Sequence, residues 1–226
     1  ITGLANLGLG FWVFITRRTA RINQTFFILT LSITLWLVNN YLADNSDNNR
    51  NALFFTKNLM YFSFLIPIII YYFSLIFPKK IASTGLINKL TILTSISIML
   101  ILIYFSKLVI KNVYFQDGIA EINFGHLSSL YLIIFIIFSI FATINFSKSF
   151  KNNLGIAKLQ VKYFAIGILI SLFFTIITNL ILPLIFSVYF LTPFGPLFTI
   201  IFVAFTAYAI ITHRLFDIRV IIKRTV

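Results

Sequence analysis

Residues 126–147 read HLSSLYLIIFIIFSIFATINFS and contain no Asp, Glu, Lys or Arg. An α-helix needs about 20 mainly apolar residues to cross the hydrocarbon core of a bilayer. Because no water is available there, the backbone N–H and C=O groups must bond within the protein, and a helix satisfies them inside one segment. This stretch therefore predicts a membrane-spanning helix.

Apolar stretches of similar character lie on both sides of this one. They are separated by turn-rich or charged breaks such as DNSDNNR at residues 44–50 and PFGP at residues 193–196. The fold class that we expect is an all-α membrane protein with a seven-transmembrane helix bundle. Residues 1–212 would form the transmembrane domain, and residues 213–226 would follow it as a separate segment. The predicted helices cover residues 1–16, 22–43, 54–77, 86–106, 126–147, 163–187 and 196–212.

The composition excludes a soluble domain. Hydrophobic residues make up 60% of the chain and charged residues 10%, with a mean hydropathy of +1.01, whereas soluble domains carry about 25% charged residues. In so apolar a chain the net charge of +13 indicates topology signals at the membrane edges and not nucleic-acid binding. Since the chain has no cysteine, disulfides, thiolate metal sites and a cysteine nucleophile are excluded.

The basic residues are divided unequally between the two sides of the predicted bundle. The positive-inside rule places the more basic side in the cytoplasm. With seven spans, the N-terminus then lies outside and the C-terminus in the cytoplasm, and we expect a multi-pass protein of the cell inner membrane. Of the 18 basic residues, four lie on the outer side, and these are Arg50, Lys57, Lys107 and Lys111.

The sequence predicts no catalytic residue, no metal site and no cofactor. Metal binding and acid–base catalysis need clustered His, Asp or Glu residues. The predicted spans contain no acid, and the two histidines, His126 and His213, fall at opposite membrane faces. Residues 196–212 contain no lysine, which excludes a retinal Schiff base. Coupled transport usually uses ionisable residues within the spans, so a small membrane transporter or channel subunit is retained only as an alternative function.

Amides and hydroxyls are the polar groups that the spans do contain, for example Asn145 and Asn179. In lipid such groups bond to neighbouring helices, so they indicate interhelical contacts, with ligand binding as the alternative. Pro67 and Pro183 each remove a backbone donor and predict kinks in the third and sixth helices. The longest connection, residues 107–125, predicts a small hairpin or an interfacial segment.

A ligand-binding region is predicted at the outer halves of the sixth and seventh helices. This opening is aromatic, interrupted by proline and nearly free of charge, which suits a small or apolar ligand. The connection 107–125 would cover it as a lid, and packing without any pocket is the alternative. The candidate residues are Pro183, Tyr189, Phe190, Phe194 and His126.

The last span runs directly into a basic segment, AYAIITHRLFDIR at residues 207–219, without Gly or Pro. This predicts one continuous helix from Tyr208 to Lys223 that carries a rotation or piston shift out of the membrane. Leu215, Ile218 and Ile222 have the i, i+3, i+7 spacing of a stripe on which a partner helix packs. We therefore expect a homodimer through this helix, with a plain membrane-surface anchor as the alternative.

The same segment resembles the end of the seven-transmembrane N-terminal sensor region of bacterial histidine kinases. Further similarity comes from the basic stretch with Gln160, Tyr163 and Phe164, and from Trp36 with Asn39. The resemblance implies that residues 1–212 form the sensor domain and that residues 213–226 begin a cytoplasmic signalling helix, with the output domain absent from this chain. It further implies a cytoplasmic kinase or other output module in the full-length receptor. No phosphoacceptor helix or ATP-binding motif lies in this chain, so we expect no enzyme activity from it. The residues to which the resemblance assigns signal transmission are Tyr208, His213, Arg214, Leu215, Phe216, Asp217, Ile218 and Arg219.

The charge distribution makes the topology testable. Reporter fusions after Lys80, Lys158 and Arg224 are expected to be active in the cytoplasm, and fusions at Asn48 and Asp117 outside the membrane. The physical reason is that Lys and Arg in short loops are retained on the cytoplasmic side during insertion. Two reversed sites would overturn the orientation.

Overall fold

The computed structural model describes residues 1–78, 85–116 and 119–217. In these residues α1 is a shorter apolar helix, and six others are long and apolar enough to cross a membrane. The predicted all-α bundle of seven apolar helices is confirmed, although the helix ends differ by several residues from the predicted ones. The helices are α1 (Thr2–Thr16), α2 (Arg21–Asp44), α3 (Asn49–Ile76), α4 (Leu86–Tyr104), α5 (Ser128–Asn152), α6 (Gly155–Phe186) and α7 (Gly195–His213).

Six of the helices pack as a ring of neighbours. Around the ring, α1 packs against α2, α2 against α3, α3 against α5, α5 against α6 and α6 against α7, which returns to α1. Helix α4 lies outside the ring against α3, and Met99 and Ile103 are its buried residues. Fully buried side chains such as Phe26, Phe64 and Phe164 fill the interior of the ring. The ring thus encloses the core, while most of α4 is left to face lipid.

Polar side chains bond across several of these helix contacts, as the sequence predicts. Asn145 of α5 donates from Nδ2 to Ser74 Oγ of α3 at 3.0 Å, and Ser171 of α6 donates to the carbonyl of Phe198 on α7 at 2.7 Å. Asn39 instead donates to a carbonyl one turn earlier in its own helix at 2.7 Å. Bonds between helices in lipid average about 0.6 kcal/mol, so they select which faces meet and add little to the packing energy.

The connection between α4 and α5 forms an antiparallel β-hairpin, which confirms one of the two predicted alternatives. Strand β1 (Ile110–Gln116) pairs with β2 (Ile119–Phe124), with Val113 opposite Ile122. Val113 is buried, and β1 packs against α3. We call the end of the bundle that carries this hairpin and the α2–α3 and α6–α7 connections the hairpin end. The opposite end, with the α1–α2 and α5–α6 connections and the C-terminus of α7, is the basic end.

Helix α7 ends at His213 and does not continue beyond the bundle. Arg214 takes a left-handed backbone conformation with φ of 54°. A 3₁₀ turn over Leu215–Asp217 follows, in which Phe216 again has a positive φ, of 62°. Leu215 and Phe216 are only 0% and 7% exposed. The chain therefore folds back onto the basic end as soon as it leaves α7.

This break contradicts the continuous helix predicted from Tyr208 to Lys223. The prediction rested on local sequence, which contains no Gly or Pro there. It is wrong over the described residues because the burial of two apolar side chains outweighs the local preference for helix. The part of the predicted helix that begins at Ile218 lies outside the described residues, together with the predicted positions Arg219 and Ile222.

A close approach of α6 to α7 makes one glycine sensitive to substitution. A Cβ added to Gly167 would lie 2.6 Å from Phe205 Cβ, so Gly167→Leu should force the helices apart and lower the stability by about 1–3 kcal/mol, as overpacking does. An added Cβ on Gly8 meets nothing within 4 Å, which makes Gly8→Leu the matched control. Thermal unfolding in detergent measures both variants. Equal Tm values for the two would contradict the packing described for α6 and α7.

Candidate functional site

A cavity of about 70 Å³ lies at the hairpin end, inside the helix ring. One water molecule needs ~10–15 Å³ on this scale, so the space holds several waters or a small ligand. Its wall comes from α2, α3, α5, α6, β2 and the α6–α7 connection. A smaller cavity of about 30 Å³ lies deeper and shares Trp36, Ile66, Leu172 and Thr175 with the first. Free space thus extends from the hairpin end toward the middle of the bundle.

The cavity wall combines apolar side chains with amides, hydroxyls and a carboxylate. The apolar part includes Trp36, Met60 and Phe135. No Lys, Arg or His is among the described residues that line it. Because an anion would be buried there without a positive partner, the wall favours an uncharged or cationic guest that forms hydrogen bonds. The polar lining residues are Asn40, Asp44, Thr56, Ser63, Thr175, Asn179, Tyr189 and Thr192.

An irregular turn of α6 borders this space. Residues Ile177–Ile181 form a π-helix directly before Pro183, and π-helical turns are frequent at functional sites. Within this turn Asn179 lies so close to the start of α7 that a Cβ added to Gly195 would meet its Nδ2 atom at 1.8 Å. The hairpin end of the α6–α7 pair therefore depends on having no side chain at Gly195.

The hairpin is bonded over the cavity by a tyrosine of the α6–α7 connection. The hydroxyl of Tyr189 donates to the carbonyl oxygen of Ile122 in β2 at 2.9 Å, and both residues line the cavity. Burial, followed by the proximity of Tyr114 and Glu121, raises the pKa of Tyr189 to about 12. The hydroxyl stays protonated throughout the neutral range, so the bond that ties the hairpin to the connection does not depend on physiological pH.

The structure brings together two of the five predicted ligand-binding residues. Pro183 and Tyr189 line the cavity. Phe190 and Phe194 are 65% and 50% exposed, and His126 is also exposed, and none of the three lines it. Trp36, Asn40 and Asn179 were predicted only as polar groups of the spans that form interhelical contacts, with ligand binding as the alternative, and were not assigned to this site. In the part of the chain that the structure describes, no three His, Asp or Glu residues are grouped to hold a metal ion.

Several of the predicted signal-transmission residues meet at the basic end. The ring of Tyr163 on α6 stacks on His213 with their centroids 5.0 Å apart, and it contacts Tyr208 at 4.8 Å. Gln160 donates from Nε2 to the carbonyl oxygens of His213 and Arg214 at 2.9 and 3.2 Å. The end of a helix leaves such carbonyls without a partner, so Gln160 satisfies the groups exposed by the break. Helix α6 thus holds the end of α7.

Phe216 lies deeper in the same end of the bundle. Its ring centroid is 4.6 Å from that of Phe26 on α2 and 6.3 Å from that of Phe73 on α3. The first residue of the exit segment, Arg214, is exposed, and the second, Leu215, is buried. Among the other predicted transmission residues, the side chain of Asp217 and all of Ile218 and Arg219 lie outside the described part of the chain.

The comparison with protein families assigns the chain. The family model described as the N-terminal 7TM region of histidine kinase matches residues 1–219. The chain therefore belongs to this family, and the resemblance noted in its sequence is confirmed. The match covers all seven helices and the break after α7. This region of histidine kinases is a sensor region and is not catalytic. None of the curated proteins matches the sequence.

The tyrosine bond across the cavity gives a direct test of how the hairpin is held. Tyr189→Phe removes the hydroxyl that bonds to Ile122, a loss of about 1 kcal/mol. Amides of β2 should then exchange with deuterium about fivefold faster, since 1 kcal/mol corresponds to that factor in an opening equilibrium. Tyr41→Phe is the control, because Tyr41 is 66% exposed on α2. Unchanged exchange in β2 would show that the bond does not hold the hairpin.

Proposed function

We propose that the chain, which belongs to the family of N-terminal 7TM regions of histidine kinases, is the sensory domain of a bacterial receptor. In this role it passes a signal to a cytoplasmic output module through the end of α7. In this proposal residues 1–212 sense the stimulus, and the segment from residue 213 onward transmits it. The observation that carries the proposal is that the cavity and the exit segment lie at opposite ends of the same helix pair, α6 and α7. A change of packing at the cavity therefore has a short physical route to the exit.

The contacts along this helix pair support the route. At the hairpin end Asn179 lies against Gly195, and nearer the middle Ser171 donates to the carbonyl of Phe198 at 2.7 Å. At the basic end Gln160 binds the last carbonyls of α7. Closely packed helices move as units and not by bending at each contact. A ligand that binds one packing more tightly than another shifts the population toward it, and this differential affinity is all that the signal requires.

The charges at the two ends support an orientation with the hairpin end outside and the basic end in the cytoplasm of the cell inner membrane. The hairpin end carries Arg50, Lys57, Lys107 and Lys111. Anionic lipids of the cytoplasmic leaflet attract basic side chains. In this orientation the N-terminus is outside and the C-terminus is cytoplasmic. The basic end carries Arg17, Arg18, Arg21, Lys148, Lys151, Lys158, Lys162 and Arg214.

For the stimulus we propose a small ligand that enters the cavity beneath the hairpin. Pro183 and Tyr189 would contact it, together with Trp36, Asn40 and Asn179. The absence of Lys, Arg and His from the described wall favours an uncharged or cationic molecule. Phe190, Phe194 and His126 belong to the surface around the mouth in this proposal. We further propose a homodimer that pairs through the signalling segment after α7, as the stripe beginning at Leu215 predicts.

Filling the cavity tests the proposal in the full-length receptor. Thr175→Phe puts a phenyl ring where the two cavities meet. Overpacking of this kind destabilises the helix arrangement seen in the structure by about 1–3 kcal/mol relative to an arrangement with a larger cavity. Since 1.4 kcal/mol corresponds to a tenfold change in an equilibrium, basal output of the attached module should change about tenfold and respond less to stimulus. The measurement is autophosphorylation, or the activity of a fused kinase, in membrane vesicles.

The matched control is a lipid-facing position two residues away on α6. Phe173 is 60% exposed, so Phe173→Leu should leave both basal output and response at the parental level. Equal output for Thr175→Phe, Phe173→Leu and the parent would refute coupling between cavity and exit. If the Thr175→Phe vesicles instead lost a solute flux that the parent conducts, the transporter or channel alternative would replace the sensor.

A further inference from the structure

The sequence of the segment after α7 favours a helix, but its backbone is not helical there. Between Tyr208 and Lys223 the chain contains neither Gly nor Pro, and Leu and Arg favour helix there. Arg214 and Phe216 nevertheless have positive φ angles, of 54° and 62°. Residues with a Cβ rarely take this conformation because the Cβ approaches the backbone carbonyl. Such a backbone persists only where tertiary contacts hold it.

Those contacts come from burial of the side chains and from capping of the backbone. Leu215 is 0% and Phe216 7% exposed. The Phe216 ring packs on Phe26 and Phe73 with centroids 4.6 and 6.3 Å away. The amide of Gln160 satisfies the carbonyls that the break exposes. We call Arg214–Phe216 the latch, and the aromatic site formed by Phe26 and Phe73 its seat.

The seat is connected to the helices that surround the cavity. Phe26 on α2 and Phe73 on α3 both contact Phe164 on α6, at centroid distances of 6.2 and 4.6 Å. Phe164 in turn contacts Phe202 on α7 at 5.7 Å, and Phe202 lines the deeper cavity. A shift of α6 or α7 against α2 and α3 therefore changes the space available to the Phe216 ring.

We propose that the latch has two states. When it is docked, Phe216 occupies the seat and breaks the helix after His213. When it is released, the same residues become helical and join α7 to the segment that follows. The balance between the states is set by the packing of α2, α3 and α6 around the seat, so that a change at the cavity alters the occupancy of the seat. The effect of the latch on output rests on the proposed sensory function, whereas the equilibrium between the docked and released states does not.

The predicted dimer stripe agrees with a released state. Leu215 is its first residue, with Ile218 and Ile222 following at helical spacing. In the docked state Leu215 is fully buried in the bundle, so it is not available to a partner helix. Pairing through the whole stripe therefore requires release, and release requires Phe216 to leave its seat. The latch would thus couple helix packing within one chain to pairing between two chains.

Distances between two spin labels test the docking equilibrium directly. The chain has no cysteine, so Asn152→Cys and Asp217→Cys introduce the only two labelling sites. Asn152 is exposed at the end of α5. The labelled chain is placed in lipid vesicles with an excess of unlabelled chain, so that the measured distances are those between the two labels of one copy. The backbone at position 217 is folded back onto the basic end in the docked state, and a released helix would carry it outward along α7 by about 1.5 Å per residue, so release appears as a longer-distance population.

Two substitutions should shift this population in opposite directions. Phe216→Ala empties the seat and should raise the longer-distance fraction several-fold above the parent. Arg214→Gly should lower it below the parent, because glycine takes a positive φ without the steric penalty. Phe216→Leu retains apolar volume but not the ring contacts, and an intermediate fraction is expected. If Phe216→Ala does not fold, the separate variants Phe216→Leu and Arg214→Gly still test the proposal.

Thr212→Gly is the control for flexibility, since Thr212 is exposed in the last turn of α7 and is helical in both states. Its distance distribution should match the parent. The latch is overturned if all Phe216 variants retain the parental distribution, or if Arg214→Gly and Thr212→Gly change it equally. In the full-length receptor, Phe216→Ala and Arg214→Gly should shift basal output in opposite directions. Shifted distances with unchanged output would retain the latch and refute the sensory function.

Discussion

The close packing of α6 on α7 is the constraint on which the rest of the structure depends. Gly167 allows the two helices to approach in the middle, where an added Cβ would lie 2.6 Å from Phe205 Cβ, and Gly195 allows Asn179 to approach at the hairpin end. In lipid there is no hydrophobic force between helices, so small residues that permit dense van der Waals contact decide which helices associate. The same pair borders the cavity at one end and holds the exit of the chain at the other through Gln160. Its packing therefore joins the cavity to the exit segment.

In the proposed latch, the exit from α7 is poised between two conformations. A rigid helix that simply continued out of the membrane would transmit movement without a threshold. Here Arg214 and Phe216 adopt backbone conformations that local sequence disfavours, while burial of Leu215 and Phe216 holds them in place. The proposed latch requires that these opposing contributions nearly balance, because ligand binding is able to reverse only a small free-energy difference. The conflict between local preference and tertiary packing is expected at functional positions, because natural sequences are otherwise consistent across levels.

The cavity and the hairpin form the proposed ligand-binding region. Its wall supplies amides, hydroxyls and aromatic surface in the interior of an otherwise apolar ring, where unpaired polar groups are costly. Several of these groups are bonded within the protein, for example Ser63 to Tyr131 and Asn179 to Thr178, and the bond from Tyr189 to Ile122 keeps the hairpin over the space. The hydroxyl of Tyr189 is protonated at neutral pH, and burial raises its pKa further, so this bond does not depend on modest changes of acidity.

The sequence alone determined the all-α fold and the number of apolar helices, because hydrophobic length is a local property that requires no knowledge of neighbours. It also indicated the polar contacts between helices, and Pro183 and Tyr189 near the cavity. It did not determine which residues line that cavity: Trp36, Asn40 and Asn179 come from helices that only the packing of the ring brings together, while Phe190, Phe194 and His126 lie outside it. Nor did it determine the end of α7. Local propensity favoured a continuous helix, and only the tertiary structure, by providing an aromatic site for Phe216 between α2 and α3, made the break more favourable than the helix.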